Sequence, residues 1–148
     1  MTEAYKYSIL YFLVFSLLLL LSALSLFEYK IGFSYVEVLN YYLGNKEKFM
    51  VAKTVTGLFK IIVPHIMSFG LFVMVILHFL IFTRYKTKSE LQIIIRLAYI
   101  TAFLELFAPF FIINGFEFFA YVKLLSFFLL EVIVLYISFL LFWSITQE

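Results

Sequence analysis

The first part of the chain contains an apolar stretch that is long enough to cross a membrane. From Tyr7 to Phe27 no residue carries a charge. At about 1.5 Å per residue, a helix of this length matches the roughly 30 Å hydrocarbon core of a bilayer. The whole chain has the same character, since 66% of its residues are hydrophobic and 21 of 148 are phenylalanine. These properties predict a membrane protein.

Three further apolar stretches follow, separated by short polar turns. Ser89 and Gln92 have the spacing of a helix capping box after the turn TRYKTKSE, and Asn114-Gly115 forms the second turn. Turns this short join antiparallel helices. The predicted fold is an all-α integral membrane protein, with four antiparallel transmembrane helices in a single domain over residues 1–148. The predicted spans are Tyr7–Phe27, Gly57–Phe82, Leu91–Ile113 and Phe118–Ile145.

The segment between the first two spans predicts a short interfacial helix. In SYVEVLNYYLG, Ser34 and Glu37 have capping-box spacing, apolar residues recur at helical intervals, and Gly44 is placed to end the helix. Its tyrosines suit the boundary between lipid and water. Two roles are open for this helix: it shields the end of the bundle, or it docks a partner or a quinone head group.

The composition excludes several kinds of site. The absence of cysteine removes disulfides, iron–sulfur clusters, c-type haem and thiolate zinc sites. The net charge of +2 is too small to indicate nucleic-acid binding. No phosphate-binding loop or metalloprotease motif is present, so we expect no catalytic activity of the chain's own. Any metal must be held by histidine, methionine or carboxylate.

The basic residues predict the orientation. Arg84, Lys86 and Lys88 crowd the short turn between the second and third spans, and Lys6 lies on the same side of the membrane. Because short cytoplasmic loops are enriched in lysine and arginine, both termini are predicted to be cytoplasmic.

One long pattern resembles a known group of proteins. YYLGNKEKFMVAKTVTGLFKIIVPH, continuing to LHFLIF, resembles an uncharacterised group of small four-span bacterial inner-membrane proteins. The resemblance implies a multi-pass protein of the bacterial inner (plasma) membrane, surrounded by lipid. It implies no activity.

The last two spans contain charged residues that require partners in lipid. Glu105 and Lys123 are each nine residues from Asn114, so an antiparallel hairpin places them at one level. Arg96 and Glu131, at eighteen and seventeen residues, also share a level. Two interhelical ion pairs are therefore predicted. Because Arg96 and Glu105 are about 180° apart on a helix, the pairs cannot share one straight seam, and Arg96 can instead extend to the cytoplasmic interface.

Both histidines of the chain, His65 and His78, lie in the second span. Two histidines on one span are similar to the arrangement in membrane b-type cytochromes, which implies a metal site at His65 and His78, with haem b or quinone as the cofactor and Met67 or Met74 as a further ligand. Their separation of 13 residues directs them about 140° apart on an ideal helix. The missing ligands would come from other membrane subunits or from a homo-oligomer.

Three functions follow from these residues. The chain is a membrane subunit of a respiratory or electron-transfer assembly that binds haem b or quinone, or it is a non-catalytic structural or assembly subunit in which the histidines only form hydrogen bonds. The third is a small transporter or channel whose flux depends on Glu105 or Glu131.

Overall fold

The structure, a computed structural model, describes residues 3–81, 83 and 89–147, apart from the side chain of residue 90. The predicted turn cations Arg84, Lys86 and Lys88 lie outside this part. The described chain is helical, and its helices are α1 (Glu3–Lys30), α2 (Tyr35–Leu43), α3 (Val55–Ile81), α4 (Ser89–Ile113) and α5 (Phe119–Thr146).

The predicted fold class is confirmed. Helices α1, α3, α4 and α5 are long and apolar enough to cross a membrane, and the short helix α2 lies between the first two of them. The chain is thus a multi-pass membrane protein in contact with lipid. Helix α1 is longer than its predicted span because charged residues extend it at both ends. Glu3 in its first turn and Lys30 in its last turn suit the two ends of the helix dipole.

Helix α2 begins at the predicted capping box. The Ser34 hydroxyl accepts a hydrogen bond from the Glu37 backbone N–H at 3.2 Å, and the Ser34 backbone N–H donates to Glu37 Oε2 at 3.0 Å. The side-chain and backbone hydrogen bonds from Ser34 lower the pKa of Glu37. The helix ends at Gly44, whose φ of +83° lies in the left-handed region. A side chain there would also meet the Met50 carbonyl, so glycine is required.

The α4–α5 hairpin forms the largest helix–helix contact of the bundle. Small residues on the inner face of α4, among them Ala98, Ala102 and Ala108, let the two backbones approach closely. The turn between the helices is tight, and Gly115 adopts a φ of +92° there. Helix α5 thereby becomes the central element of the bundle.

Helix α1 packs against both α5 and α3 through aromatic rings. Phe27 stacks on Phe127 of α5 with ring centroids 4.0 Å apart. Nearer its other end, Phe12 contacts Phe72 and Phe79 of α3 at 5.8 and 5.1 Å. Helix α2 covers one end of the bundle, where Val38 and Tyr42 are buried in a cluster with residues of α3, α4 and α5.

Candidate functional site

Lys123 and Glu105 meet in the interior between α4 and α5. Lys123 Nζ donates a hydrogen bond to the Glu105 carboxylate and another, at 2.9 Å, to the Glu105 backbone carbonyl. Their side chains are only 7% and 9% exposed, respectively. The tight turn at Asn114 sets this register, because both residues lie nine positions from it. The structure thus brings these two predicted site residues together.

Aromatic side chains from two other helices lie near this ion pair. The Phe27 ring of α1 lies 5.8 Å from Lys123 Nζ, a cation–π distance. Tyr42 of α2 is buried, and this burial, together with the negative charge of Glu105, raises the pKa of its phenol well above the ordinary value. Neither aromatic residue was predicted to belong to the site. The sequence placed Tyr42 on α2 and assigned it to the boundary between lipid and water, whereas the residue is buried. Phe27 had no feature in the sequence that distinguished it from the other phenylalanines.

The structure does not pair Arg96 with Glu131, so the second predicted ion pair is wrong. Arg96 is exposed on α4, whereas Glu131 is buried in α5 with 8% of its surface accessible. The two residues share a level but not a direction. Because Glu105 faces α5, a residue nine positions away on α4 faces outward. Glu131 Oε2 has no hydrogen-bond partner in the part of the chain that the structure describes.

His65 and His78 are both exposed on α3, outside the face that packs against the bundle. His65 Nδ1 lies 2.6 Å from the Ile61 carbonyl oxygen, and its ring meets Phe69 edge to face at 5.8 Å. Since a carbonyl oxygen only accepts hydrogen bonds, Nδ1 carries the hydrogen. His65 Nε2 is therefore left as an acceptor or a metal ligand, and this is the usual arrangement of a histidine that binds metal.

These residues do not fit a haem held inside the bundle of one chain. Neither histidine faces the interior, and Met67 and Met74 are 68% and 54% exposed. Within residues 3–81, 83 and 89–147, no three histidine or carboxylate side chains group together in a way that would hold a metal ion. Of the predicted ligands, His65 fits a ligand position on the outer surface of α3.

A pocket lies where α1 ends and α2 begins, near the helix for which docking of a partner or a quinone head group was one of the two open roles. Charged residues of both signs line it, including Glu28, Lys30, Glu37 and Lys48. Its volume of 180 Å³ is below the roughly 300–1,000 Å³ of typical small-molecule sites. The pocket is therefore too small to enclose a quinone head group and its tail.

A family model described as a transmembrane helical domain matches residues 32–148. The chain belongs to this transmembrane helical domain family. The matched residues hold helices α2 to α5 and every predicted site residue from His65 to Glu131. No curated protein and no solved structure matches the chain. The membership confirms the predicted likeness to a transmembrane family, and the likeness to b-type cytochromes stays a prediction.

Helix α1 precedes the matched part of the transmembrane helical domain. Its Phe27 nevertheless lies at a cation–π distance from Lys123. Tyr42, which the Glu105 charge influences, belongs to the matched domain. The site of this family member is thus built from four helices, of which one lies outside the family match.

Proposed function

We propose that the protein is a membrane subunit of an electron-transfer assembly, and that it contacts a partner membrane subunit through the outer face of α3 at His65. The observation that carries this proposal is the position of the His65 ring. The residue lies ten positions after Val55, about 15 Å along α3, and it is exposed. Its Nε2 has no partner within the described chain.

An exposed histidine at the depth of His65 is unfavourable when no partner subunit covers it. Ionisable side chains within membrane spans almost always face protein or water, because lipid provides no hydrogen bonds. His65 can be satisfied by a donor or a metal on another subunit. His78 is a weaker candidate, because it lies three residues before the end of α3, where a side chain can reach the interface.

The position of α3 in the bundle supports a contact there. Only 17% of the residues in its most apolar part are buried inside the bundle, against 44% for α5. Helix α3 is therefore a peripheral helix with a wide outer face. A membrane helix of another subunit can pack along this face without displacing any helix of the chain.

The proposed cofactor is haem b or quinone, located between subunits. His65 would be the ligand from this chain, with its ring orientation fixed by the Nδ1–H bond to Ile61, and a partner subunit or a second copy would supply the other ligand. Haem b, when bound, supplies one-electron transfer. We further propose a bacterial inner-membrane location with both termini cytoplasmic.

The test uses the protein solubilised gently with its native partners. We expect a Soret absorbance or a co-extracted quinone in the complex, and we expect His65→Asn to abolish both. His78→Asn is the matched control, because it makes the same change on the same helix near the interface. A complex that lacks both haem and quinone, or one that keeps its cofactor when His65 is replaced, would overturn the electron-transfer proposal.

A non-catalytic assembly role is the second candidate. It is favoured by the wide outer face of α3, since only 17% of the residues in its most apolar part are buried inside the bundle. The same preparation distinguishes the two roles. For an assembly subunit, His65→Asn weakens co-purification of the partner while the complex contains no haem or quinone at any stage.

A further inference from the structure

Helix α5 carries buried polar groups that neither the ion pair nor the histidines use. Glu131, Ser138 and Ser144 are 8%, 6% and 1% exposed. Glu131 Oε2, Ser138 Oγ and Ser144 Oγ each lack a hydrogen-bond partner among the described residues. Buried polar atoms normally have partners, so three unsatisfied atoms on one helix indicate a function or bound water.

These groups follow one another from the middle of the membrane to one face. Glu131 lies twelve residues after Phe119 and fifteen before Thr146, near the centre of the roughly 40 Å helix. Ser138 follows seven residues later, about 10 Å away and within about 20° of the same direction. Ser144 lies six residues further, in the last turns of α5, but it points about 140° away from Glu131, so only Ser138 shares the direction of the carboxyl group.

No described positive charge compensates Glu131. The nearest lysine along α5, Lys123, is two turns away and already bound to Glu105. On α4, Arg96 is exposed. An ionised carboxylate without a partner is very unfavourable in such surroundings, whereas the neutral acid is tolerated.

Among the described residues, the other helices packed against α5 do not place a compensating positive charge beside Glu131 either. Helix α1 has no charged side chain between Tyr7 and Phe27. On α2, the Glu37 carboxylate is bound to Ser34. The titratable and charged residues of α3, all exposed, are Lys60, His65 and His78.

We propose that Glu131 is a membrane-embedded proton-binding site, which exchanges its proton past Ser138 with the face of the membrane where α5 ends. The ligand is the proton. A hydroxyl group both donates and accepts hydrogen bonds, so Ser138 can hold a water molecule in a chain leading to the carboxyl group. This inference is independent of the proposed partner contact at His65, because Glu131 lies inside the bundle and His65 on its surface.

The first test is chemical modification in lipid vesicles at neutral pH. A hydrophobic carbodiimide reacts with a protonated carboxyl group: the acid proton moves to a carbodiimide nitrogen, and the carboxylate oxygen bonds to the central carbon. The adduct then rearranges to an N-acylurea, and no group leaves. We expect mass spectrometry to locate the adduct on Glu131 and not on Glu105, whose carboxylate is bound to Lys123.

The variant Glu131→Gln should carry no adduct in the same peptide and should keep the helical circular dichroism spectrum. Modification of Glu105 without Glu131, or no modification of either, would show that Glu131 does not carry a proton in the membrane.

The second test follows the exchange path. In heavy water, the infrared carbonyl band of a buried carboxylic acid shifts as its proton is replaced by deuterium. We expect Ser138→Ala to slow this shift severalfold. Ser126→Ala is the matched control, since Ser126 is also buried on α5 but lies on the other side of Glu131 and donates to the Lys123 carbonyl. Exchange that is unaffected by Ser138→Ala, or slowed only by the control, would overturn the proposed path.

Discussion

Lys123 and Glu105 are stable in the membrane only as a pair. Each charge alone would cost about 2.5–3.5 kcal/mol near the bilayer centre on insertion scales. Together they are neutral, and Lys123 Nζ also donates to the Glu105 carbonyl. The surrounding helices leave their side chains only 7% and 9% exposed, and the Phe27 ring lies at a cation–π distance from Lys123. Their contribution is thus asymmetric: the pair adds little net stability, but loss of one partner is severe.

The variant Lys123→Met tests this asymmetry. It leaves the Glu105 carboxylate buried without a partner, and we expect the free energy of unfolding in detergent to fall by about 3–5 kcal/mol. The double variant Glu105→Leu/Lys123→Met should recover most of the loss, because no charge remains buried. An equal loss in the single and double variants would show that packing, and not charge, holds this site together.

At the scale of single residues, the sequence predicts a contact correctly where the number of residues from a turn determines it. The distances of Glu105 and Lys123 from Asn114 determine their common level, and the structure has a contact there. Counting also gives the angle of about 180° between Arg96 and Glu105 on α4, but it does not give which of the two faces α5. In the structure Glu105 faces α5 and Arg96 is exposed, so Arg96 does not meet Glu131. The contacts of Phe27 and Tyr42 depend on how separate helices pack, for which the sequence provides no register.

Helix α2 is the element that the sequence describes best. Its N-cap, capping box and terminal glycine are all local features, and the structure has each of them at the expected residue. What the local pattern does not show is that α2 packs over the ion pair. Tyrosines that suit a lipid surface were assigned to that surface, but Tyr42 is buried.

The variant Ser34→Ala should destabilise α2. It removes the hydroxyl that accepts from the Glu37 backbone, and such a loss typically costs about 0.5–2 kcal/mol of helix stability. We expect faster hydrogen exchange of the amides from 36 to 43, with little change in α4 and α5. The variant Ser34→Thr is the control, because it keeps a capping hydroxyl.

The stability of α2 is expected to decrease at low pH. Hydrogen bonds from Ser34 lower the folded pKa of Glu37 below its ordinary value of 4.5. The stabilisation is therefore fully present above pH 4.5 and is lost as the pH falls from there through the folded pKa. Exchange protection of α2, corrected for the intrinsic effect of pH, should fall over this range. In Glu37→Gln the protection should not vary there, and an unchanged dependence in that variant would assign the effect to another group.

At the scale of the whole molecule, four antiparallel spans place both ends of the chain on one side of the membrane. The segment between α1 and α3, including α2, is then on the opposite side, and so is the Asn114 turn. The Glu105–Lys123 pair therefore lies in the same half of the bilayer as α2. Helix α2 and the ion pair form one polar end of the bundle, and Glu131 and Ser138 follow one another along α5 toward the other end.

A single introduced cysteine tests the orientation. The chain has no cysteine of its own, and Asn45 lies in the segment just after α2. With both termini cytoplasmic, Asn45→Cys should react with a membrane-impermeant maleimide added to intact cells. Labelling that occurs only after the membrane is breached would reverse the orientation. A cysteine in place of Gln147 is the matched control and should show the opposite behaviour.

The tight turn at Asn114-Gly115 also bears on how the protein enters the membrane. A helix carrying Glu105 and a helix carrying Lys123 would each be inserted with an isolated charge if they entered one at a time. Because both charges lie nine residues from the turn, the two helices can partition from the translocon as one hairpin, already neutralised. We therefore expect α4 to remain at the translocon until α5 has been synthesised, so that the two helices enter the membrane together.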